Sequence, residues 1–323
     1  MAVYTEVSDD DLARFVASYG LGTLLSYKGI AEGVENTNYL VHATAGAFIL
    51  TIYEKRVDPA DLPYFLGLME HLAAAGVTCP LPVRDPEGQN LNQLGGRLAA
   101  LITFLEGVWP RKPKALHCAA VGRALAQMHV AGIDFPMSRA NALGLKGWRP
   151  LFQKFEGRAD AIMPGLNRLI SDELAHLDSA WPTNLPQGVI HADLFPDNVF
   201  FIGDELSGLI DFYFACNESL AYDIAVCLNA WCFSAEHDYD TEKGKALLDG
   251  YQSLRPLSEA ERTAMPTLAR GAAMRFLLTR SYDWLNTPAD AMVARKDPFD
   301  YVRRLRFHKS ATTFADYCGG RAK

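Results

Sequence analysis

GVIHADLFPDNVFFIGDELSGLIDFYFACNESLAYD, residues 188–223, is the stretch that decides the fold of this chain. It contains two short apolar runs, each followed by acidic or amide side chains. The first run leads to Asp193 and then Asn198, whereas the second leads to Asp211. We therefore predict two neighbouring β-segments whose ends present two carboxylates and one carboxamide. Such hard oxygen ligands suit Mg²⁺ rather than zinc.

The order of these groups is typical of phosphoryl transfer from ATP. In that chemistry one aspartate orients the attacking hydroxyl, while an asparagine and a second aspartate hold the metal ions on the phosphates. Protein kinases carry H-R-D-L-x-x-x-N and then D-F-G, and this chain has HADL from His191, with Asn198, and then DFY from Asp211. Turn formation is the alternative role for Asp and Asn. Their recurrence in this order favours Asp193 as catalytic residue, with Asn198 and Asp211 as metal ligands.

The composition is that of an ordinary globular protein. Of the 323 residues, 49% are hydrophobic and 21% charged, and this length allows two domains or one bilobal enzyme. A net charge of −7 argues against a nucleic-acid binder. No apolar run approaches the roughly 20 residues of a membrane span, and the first residues lack a signal-peptide pattern. We expect a cytoplasmic protein without nucleic-acid or membrane partners.

Upstream of this stretch, the sequence predicts a small sheet with one helix packed on it. Helical stripes follow Ser8 and cover residues 58–75. Strand-like runs cover residues 23–30, 39–43, 47–53, 80–83 and 97–104. The loop after the first run contains Gly29 and Gly33 and continues to Asn36. We expect its backbone N–H groups to lie over nucleotide phosphates.

Beyond residue 106 the pattern turns mainly helical. Helical stripes cover residues 116–131, 147–157, 163–180, 219–235, 240–253 and 258–285. We predict an α+β, bilobal, protein-kinase-like fold: a small antiparallel β-sheet lobe over residues 1–106 that covers the nucleotide, and a mainly helical lobe over residues 107–323 with the catalytic loops and substrate pocket. Nucleotide is expected in the crevice between the lobes. Walker and Rossmann motifs are absent from the sequence.

The predicted substrate is a small molecule rather than a protein. A protein kinase needs a long activation segment after its second metal aspartate. Here only the short segment 212–219 separates Asp211 from the next helical stripe, and no A-P-E triplet follows. In addition, Phe195 stands where protein kinases usually place a lysine.

Whole phrases of the chain resemble the aminoglycoside phosphotransferase and choline kinase superfamily, over nearly the full length. They are GVIHADLFPDN at 188–198, IDF at 210–212 and YDIA at 222–225. Further phrases resemble the bacterial homoserine kinases that share this fold: GVENTNY at 33–39, DFYFACN at 211–217, LNAW at 228–231 and RFLLTR at 275–280. This resemblance implies phosphorylation of the side-chain hydroxyl of L-homoserine, a step toward threonine, with ATP and Mg²⁺ as cofactors.

Carried onto this sequence, the resemblance also implies supporting residues. His191 and Asp223 would hold the catalytic loop in place. Phe104, Leu105 and Glu106 would contact the adenine of ATP through backbone groups, at the point where the predicted sheet ends.

One departure from the superfamily concerns phosphate binding. The superfamily usually carries a lysine on the third strand, paired with a glutamate on the following helix. Thr51 stands where we expect that lysine, and Phe65 stands near the expected glutamate. We therefore expect Lys55 or Arg56 to reach the phosphates, with Glu70 as the helix partner. As the alternative, both cations are solvated loop charges.

A homoserine pocket needs groups for both charges of a zwitterion. An arginine fork suits the carboxylate, and the candidates are Arg149, Arg275 and Arg280. Each of the three also fits a structural ion pair. The sequence does not identify the acidic partner of the ammonium group.

Two other functions fit parts of the pattern. A kinase for another small alcohol, such as an aminoglycoside, choline or methylthioribose, shares the catalytic loops. Cationic substrates call for clustered carboxylates or an aromatic cage, whereas residues 295–323 are predominantly basic. An inactive nucleotide-binding module would explain the missing strand lysine, but such a module needs no general base at Asp193.

Overall fold

The computed structural model describes residues 5–30, 36–54, 58–287 and 295–319. They divide into two units, one running to Glu106 and the other beginning at Gly107. The first unit contains a small antiparallel sheet, and the second is mainly helical. The predicted α+β class is therefore confirmed.

The first unit contains a five-stranded sheet, and its first helix packs against that sheet. Its elements are α1 (Asp9–Ser18), β1 (Leu24–Ile30), β2 (Thr37–Ala43), β3 (Gly46–Ile52), α2 (Leu62–Ala74), β4 (Asn92–Leu94) and β5 (Arg97–Thr103). All strand pairs are antiparallel, in the order β1-β2-β3-β5-β4. Leu50 and Leu101 point into the core from paired positions of β3 and β5, and Leu12 of α1 joins them. Every second residue of β2 is buried, as the period of two in a strand produces.

The strand predicted over residues 80–83 is wrong. This segment runs beside β5, with hydrogen bonds from the Thr103 N–H to the Leu81 carbonyl and from the Val83 N–H to the Leu101 carbonyl, both 2.8 Å. These bonds flank a single bridge between Pro82 and Ile102, and the pairing does not extend far enough to form a strand. The fifth strand of the sheet is β4 instead.

The second unit combines helices with two small antiparallel ribbons. Its elements are α3 (Ala115–Ala131), α4 (Leu145–Gln153), α5 (Leu166–Ala180), β6 (Gln187–Ile190), β7 (Val199–Ile202), β8 (Glu205–Leu209), β9 (Cys216–Ser219), α6 (Leu220–Trp231), α7 (Thr241–Gln252), α8 (Glu259–Asn286) and α9 (Phe299–Ser310). β6 pairs with β9, and β7 pairs with β8. α6 is buried along almost its whole length. Although α8 is 28 residues long, no helix among the described residues is long and apolar enough to cross a membrane.

Helices α3 and α7 approach each other closely because glycine occupies the contact on both. A Cβ added at Gly122 of α3 would clash with the carbonyl oxygen of Leu247, and one at Gly250 of α7 would clash with that of Ala119. The close approach lets side chains from the two helices touch further along their length.

A buried histidine ties α9 to α6. His308 is fully buried, with Nε2 3.1 Å from Asn229 Oδ1 and Nδ1 3.1 Å from the Tyr317 hydroxyl. The Asn229 amide nitrogen donates to backbone carbonyls, so its oxygen accepts and His308 carries its proton on Nε2. Burial, together with the charges of Arg304 and Arg270, lowers the pKa of His308 to about 3.

The glycine at the α3–α7 contact predicts a stability effect. Gly122→Ala is expected to lower the free energy of unfolding by about 1–3 kcal/mol, because the added methyl group forces two packed backbones apart. Gly157→Ala is the matched control, since open space surrounds its added Cβ and its effect should stay within about 0.5 kcal/mol. Urea unfolding measures both, and equal effects of the two substitutions would contradict the packing argument.

His308 predicts a pH dependence of stability. Its unfolded pKa lies near 6.5, so between that pH and about 3 the unfolded chain binds a proton that the folded chain does not. Stability therefore falls with falling pH, by about 2 kcal/mol from pH 7.5 to pH 5 through this residue. The His308→Gln variant should lose that much less than wild type in urea unfolding at the two pH values. The control His176→Gln, at an exposed position, should match wild type, and an unchanged loss in His308→Gln would disprove the assignment.

Candidate active site

Asp193 lies in the loop that joins β6 to β7. The preceding residue, Ala192, has a φ of 64°, a left-handed conformation that non-glycine residues adopt only when their surroundings impose it. The Asp193 side chain is 21% exposed. Burial raises the pKa of its carboxyl, although the charges of Arg275 and Lys296 act in the opposite direction. A raised pKa makes the carboxylate a better proton acceptor, as a general base requires.

Asn198 contacts Asp193, and its backbone is hydrogen-bonded to Ile210, the residue before Asp211. The Asn198 amide nitrogen donates to the backbone carbonyl of Asp193 at 2.8 Å and lies 3.4 Å from its carboxylate oxygen Oδ2. The Ile210 N–H donates to the Asn198 carbonyl at 3.0 Å, because β7 and β8 pair up to this point. Asp211 comes next, exposed and in a left-handed conformation with φ 64° and ψ 65°.

This donor set fits a hard cation. Asn198 engages Asp193 through its amide nitrogen, so its carboxamide oxygen is the atom with which it would ligate a metal. Asp211 presents its carboxylate at an exposed position. Among the described residues, no group of three or more His, Cys, Asp and Glu side chains is arranged to hold a metal ion. The metal ligands predicted from the sequence differ from such a group, because one of them is the amide oxygen of Asn198 and the other is the carboxylate of Asp211.

Asp223 of α6 fastens the start of the catalytic loop. Its Oδ2 accepts hydrogen bonds from the His191 N–H at 2.6 Å and from His129 Nε2 at 3.2 Å, while its Oδ1 accepts from the Ala192 N–H at 2.9 Å. The carboxylate is fully buried. Burial alone would raise the pKa of Asp223, but His129, His191 and their hydrogen bonds hold it below its ordinary value. The loop therefore rests on a buried anion.

His191 connects the two polar loops. Its Nδ1 accepts a hydrogen bond from the Asp193 N–H at 3.3 Å, and its Nε2 lies 3.0 Å from the Ile210 carbonyl oxygen. Because Nδ1 accepts, the ring carries its proton on Nε2 and donates it to Ile210. Burial lowers the pKa of His191, which favours this neutral form. One imidazole thus links the loop of Asp193 to the residue before Asp211.

Helices α6 and α8 hold the remaining backbone of the loop. The Leu194 carbonyl accepts a hydrogen bond from the indole nitrogen of Trp231 at 2.8 Å. The Ala192 carbonyl accepts from the guanidinium of Arg275, a side chain that is only 2% exposed. The loop is consequently held by side chains on both sides of Asp193.

Two of these supports are not predicted from the sequence. His129 is a core histidine by its pattern alone, yet it donates to Asp223, which lies 94 residues away along the chain. Its other ring nitrogen lies 2.8 Å from the hydroxyl of Tyr251 on α7. Trp231 reaches Leu194 from 37 residues away. A helical stripe predicts that such residues face the interior, but it does not identify the groups to which they hydrogen-bond.

The three candidate arginines lie in different surroundings. Arg275 lies beside the predicted catalytic residue, with its Nη2 3.8 Å from Asp193 Oδ1. Arg149 makes an exposed ion pair with Asp178. Arg280 lies 2.8 Å from a carboxylate oxygen of Asp300, on α9. Of these three arginines, only Arg275 is in direct contact with the catalytic loop.

The candidate nucleotide residues that the structure describes belong to the first unit. Gly29 lies on β1 opposite Tyr39 of β2. Asn36 is buried and accepts a hydrogen bond from the Glu54 N–H at 3.3 Å. The predicted residues Gly33 and Lys55, together with Arg56, lie outside the described residues.

The segment predicted to contact adenine directly follows β5. The Phe104 N–H donates to the Ala47 carbonyl at 3.3 Å, and the ring of Phe104 is 42% exposed. Leu105 and Glu106 then end the unit. The segment thus begins as a direct continuation of the pairing between β5 and β3.

The positions expected for a lysine–glutamate pair hold uncharged residues, as the sequence shows. Thr51 is buried on β3, and its hydroxyl donates to Asn38 Oδ1 at 2.8 Å. Phe65 is buried on α2. Glu70, the alternative helix partner, pairs instead with Arg84 at 2.7 Å. β3, the strand on which the superfamily lysine is expected, therefore carries no lysine for the phosphates.

Comparison with known proteins defines the class. The family model described as "Phosphotransferase enzyme family" matches residues 26–257, so the chain belongs to this family. Homoserine kinases from Rhizobium rhizogenes and Afipia carboxidovorans are each 62% identical to it over 317 residues, which is 98% of this chain and 99% and 97% of theirs. The homoserine kinase of Bradyrhizobium diazoefficiens is 62% identical over 318 residues, covering 98% and 97%. Within the family, the chain belongs with the homoserine kinases, and the resemblance predicted from its phrases is confirmed.

Solved structures confirm the kinase-like fold. An amicoumacin kinase superposes with a TM-score of 0.71 at 15% identity and covers 95% of both chains. An aminopropanol kinase gives a TM-score of 0.71 at 18% identity, covering 94% of this chain and 97% of its own. A spectinomycin phosphotransferase gives 0.69 at 12% identity, covering 98% and 99%.

The buried anion under the loop yields a prediction. Asp223→Asn replaces one of two acceptor oxygens with an NH₂ group that faces N–H donors, so stability should fall by about 2–4 kcal/mol. The same substitution at Asp178, in an exposed ion pair with Arg149, should change stability by at most about 1 kcal/mol. Thermal and urea unfolding measure both variants. An Asp223→Asn protein as stable as the Asp178→Asn control would show that the three hydrogen bonds do not fasten the loop.

Proposed function

We propose that the protein transfers the γ-phosphoryl group of ATP to the side-chain hydroxyl of L-homoserine. The observation that supports this most is the catalytic loop, where a partly exposed Asp193 carboxylate sits on a backbone held by Asp223, next to Asn198. The identity to homoserine kinases over nearly the whole chain supports the choice of substrate.

Asp193 acts as the general base in this proposal. The homoserine hydroxyl oxygen attacks the γ-phosphorus, and its proton passes to the Asp193 carboxylate. A new oxygen–phosphorus bond forms, while the bond from that phosphorus to the bridging oxygen breaks and ADP leaves with the electron pair. Asn198 Nδ2 and Arg275 Nη2 lie 3.4 Å and 3.8 Å from the two carboxylate oxygens, so they restrict the orientation of the base.

Asn198 and Asp211 hold Mg²⁺ in this proposal, through the carboxamide oxygen and the carboxylate. Bound Mg²⁺ neutralises charge on the nucleotide phosphates. His191 would fix the two ligand-bearing loops relative to each other, because its ring joins the backbone of Asp193, in the loop of Asn198, to that of Ile210, the residue before Asp211. A neutral imidazole suits this role, since it offers one donor and one acceptor.

The contacts of the arginines favour different roles for them. Arg275 is buried and donates to the Ala192 carbonyl, so we infer that it supports the loop rather than binding the substrate carboxylate. Arg149 and Arg280 remain candidates for the carboxylate, and each would have to leave its aspartate partner to bind it.

ATP binding by the first unit is proposed on the sequence pattern. Gly29, Gly33 and Asn36 would cover the phosphates, with Lys55 reaching them, and residues 104–106 would contact adenine. A cytoplasmic location and the lack of nucleic-acid, membrane and protein partners are likewise predictions of the sequence.

A substrate panel tests the reaction. ADP release with Mg-ATP should be strong with L-homoserine and weak with D-homoserine, L-serine, choline, methylthioribose and kanamycin. Asp193→Asn should lower the rate with L-homoserine by about 10²–10⁴-fold, because a general base is removed. Asp204→Asn, in the exposed turn between β7 and β8, should retain the wild-type rate.

Two results would contradict the proposal. Activity with kanamycin or choline alone would keep the catalytic loop but reject homoserine as the substrate. Full activity of the Asp193→Asn variant would reject Asp193 as the base, whatever the substrate.

A further inference from the structure

Lys296 lies against the catalytic loop although it is distant from it in sequence. Its Nζ is 5.7 Å from the centroid of the Phe195 ring, and Phe195 comes two residues after Asp193. The ring is held in place by Phe276 of α8, in an edge-to-face contact with centroids 4.9 Å apart. Lys296 itself is exposed and precedes α9.

The charge of Lys296 reaches the catalytic carboxylate. The charges of Lys296 and Arg275 both interact with the Asp193 carboxylate. The two cations differ in what they can contact, because Arg275 is 2% exposed and donates to the Ala192 carbonyl. Lys296 makes no ion pair with any residue that the structure describes. Its ammonium group is therefore the one of these two that an incoming anion can reach.

Phosphoryl transfer needs positive charge next to the transferred phosphoryl group. This chain has uncharged residues at two positions where a lysine is expected. The catalytic loop carries Phe195 where protein kinases usually place a lysine, and β3 carries Thr51 where the superfamily lysine is expected. The two loops instead carry the acidic residues Asp193, Asp197 and Asp211. A cation beside Phe195 must consequently come from another segment of the chain.

We propose that Lys296 binds the transferring phosphoryl group and supplies the cation that the catalytic loop lacks. This inference rests on the proposed kinase function. Its Nζ would donate hydrogen bonds to phosphoryl oxygens while the oxygen–phosphorus bonds form and break. Lysine suits the role because it is a compact charge on a flexible stem. The Phe195 ring face attracts the ammonium without neutralising it, as a carboxylate would.

Charge removal tests the role of Lys296. In Lys296→Met, kcat with Mg-ATP and L-homoserine should fall about 100-fold, the effect of removing one transition-state donor, while the KM for L-homoserine changes less than threefold. Lys296→Arg should retain activity within about tenfold of wild type. Arg303→Met is the matched control, because it removes an exposed cation from nearby α9 and should leave kcat unchanged. Thermal unfolding and circular dichroism confirm that each variant is folded.

Hydrolysis of ATP without an acceptor separates this proposal from the proposed substrate. Water then accepts the phosphoryl group, and Lys296→Met should lower this slow rate by a similar factor. If wild type hydrolyses ATP but does not phosphorylate homoserine, the substrate proposal fails while Lys296 is still tested. A folded Lys296→Met variant with kcat within threefold of wild type, or one that changes only the KM for homoserine, would overturn the proposal. An equal loss in Arg303→Met would also overturn it.

Discussion

The structure depends on one buried carboxylate. Asp223 accepts hydrogen bonds from the backbone of His191 and Ala192 and from the side chain of His129. A buried charge is tolerable only when it is fully hydrogen-bonded, so three separate segments must be in place together. The catalytic loop, α6 and α3 are therefore not independent elements. Any rearrangement of one would leave an unpaired charge in the interior.

The close approach of α3 and α7 helps to position His129, which donates a hydrogen bond to the same carboxylate. Glycine at the contact brings the two helices close together, and His129 of α3 then meets Tyr251 of α7, with ring centroids 5.6 Å apart. The Tyr251 hydroxyl also accepts a hydrogen bond from Arg255 at 3.1 Å, and Arg255 lies 2.8 Å from Glu261 at the start of α8. A chain of hydrogen bonds and one ion pair thus extends from the loop of Asp193 to the cap of a helix far along the sequence.

Local features of the fold and site were predictable, whereas distant contacts were not. Asp193 and Asn198 belong to one short loop, so their spacing alone brings them together, and the strand pattern adds Asp211. The role of His129 depends on a partner 94 residues away, which no local period specifies. Arg275 is a sequence-based candidate for the substrate carboxylate, but its burial and its contact with the Ala192 carbonyl depend on the packing of α8. The strand predicted at residues 80–83 was wrong because the segment pairs with β5 at a single bridge only, and the segment's own sequence does not specify how far such a pairing extends.

The left-handed Ala192 has a consequence for how substrates bind. Its N–H is held by Asp223 and its carbonyl by Arg275, so the unfavourable conformation is maintained by the protein alone. The loop around Asp193, the proposed base, is therefore ordered by the protein's own contacts before nucleotide or acceptor arrives. Ordering a loop on binding would consume part of the affinity, and here that entropy is already lost during folding. Ligand affinity and catalytic alignment are consequently decoupled in this enzyme, because the first can change without the second.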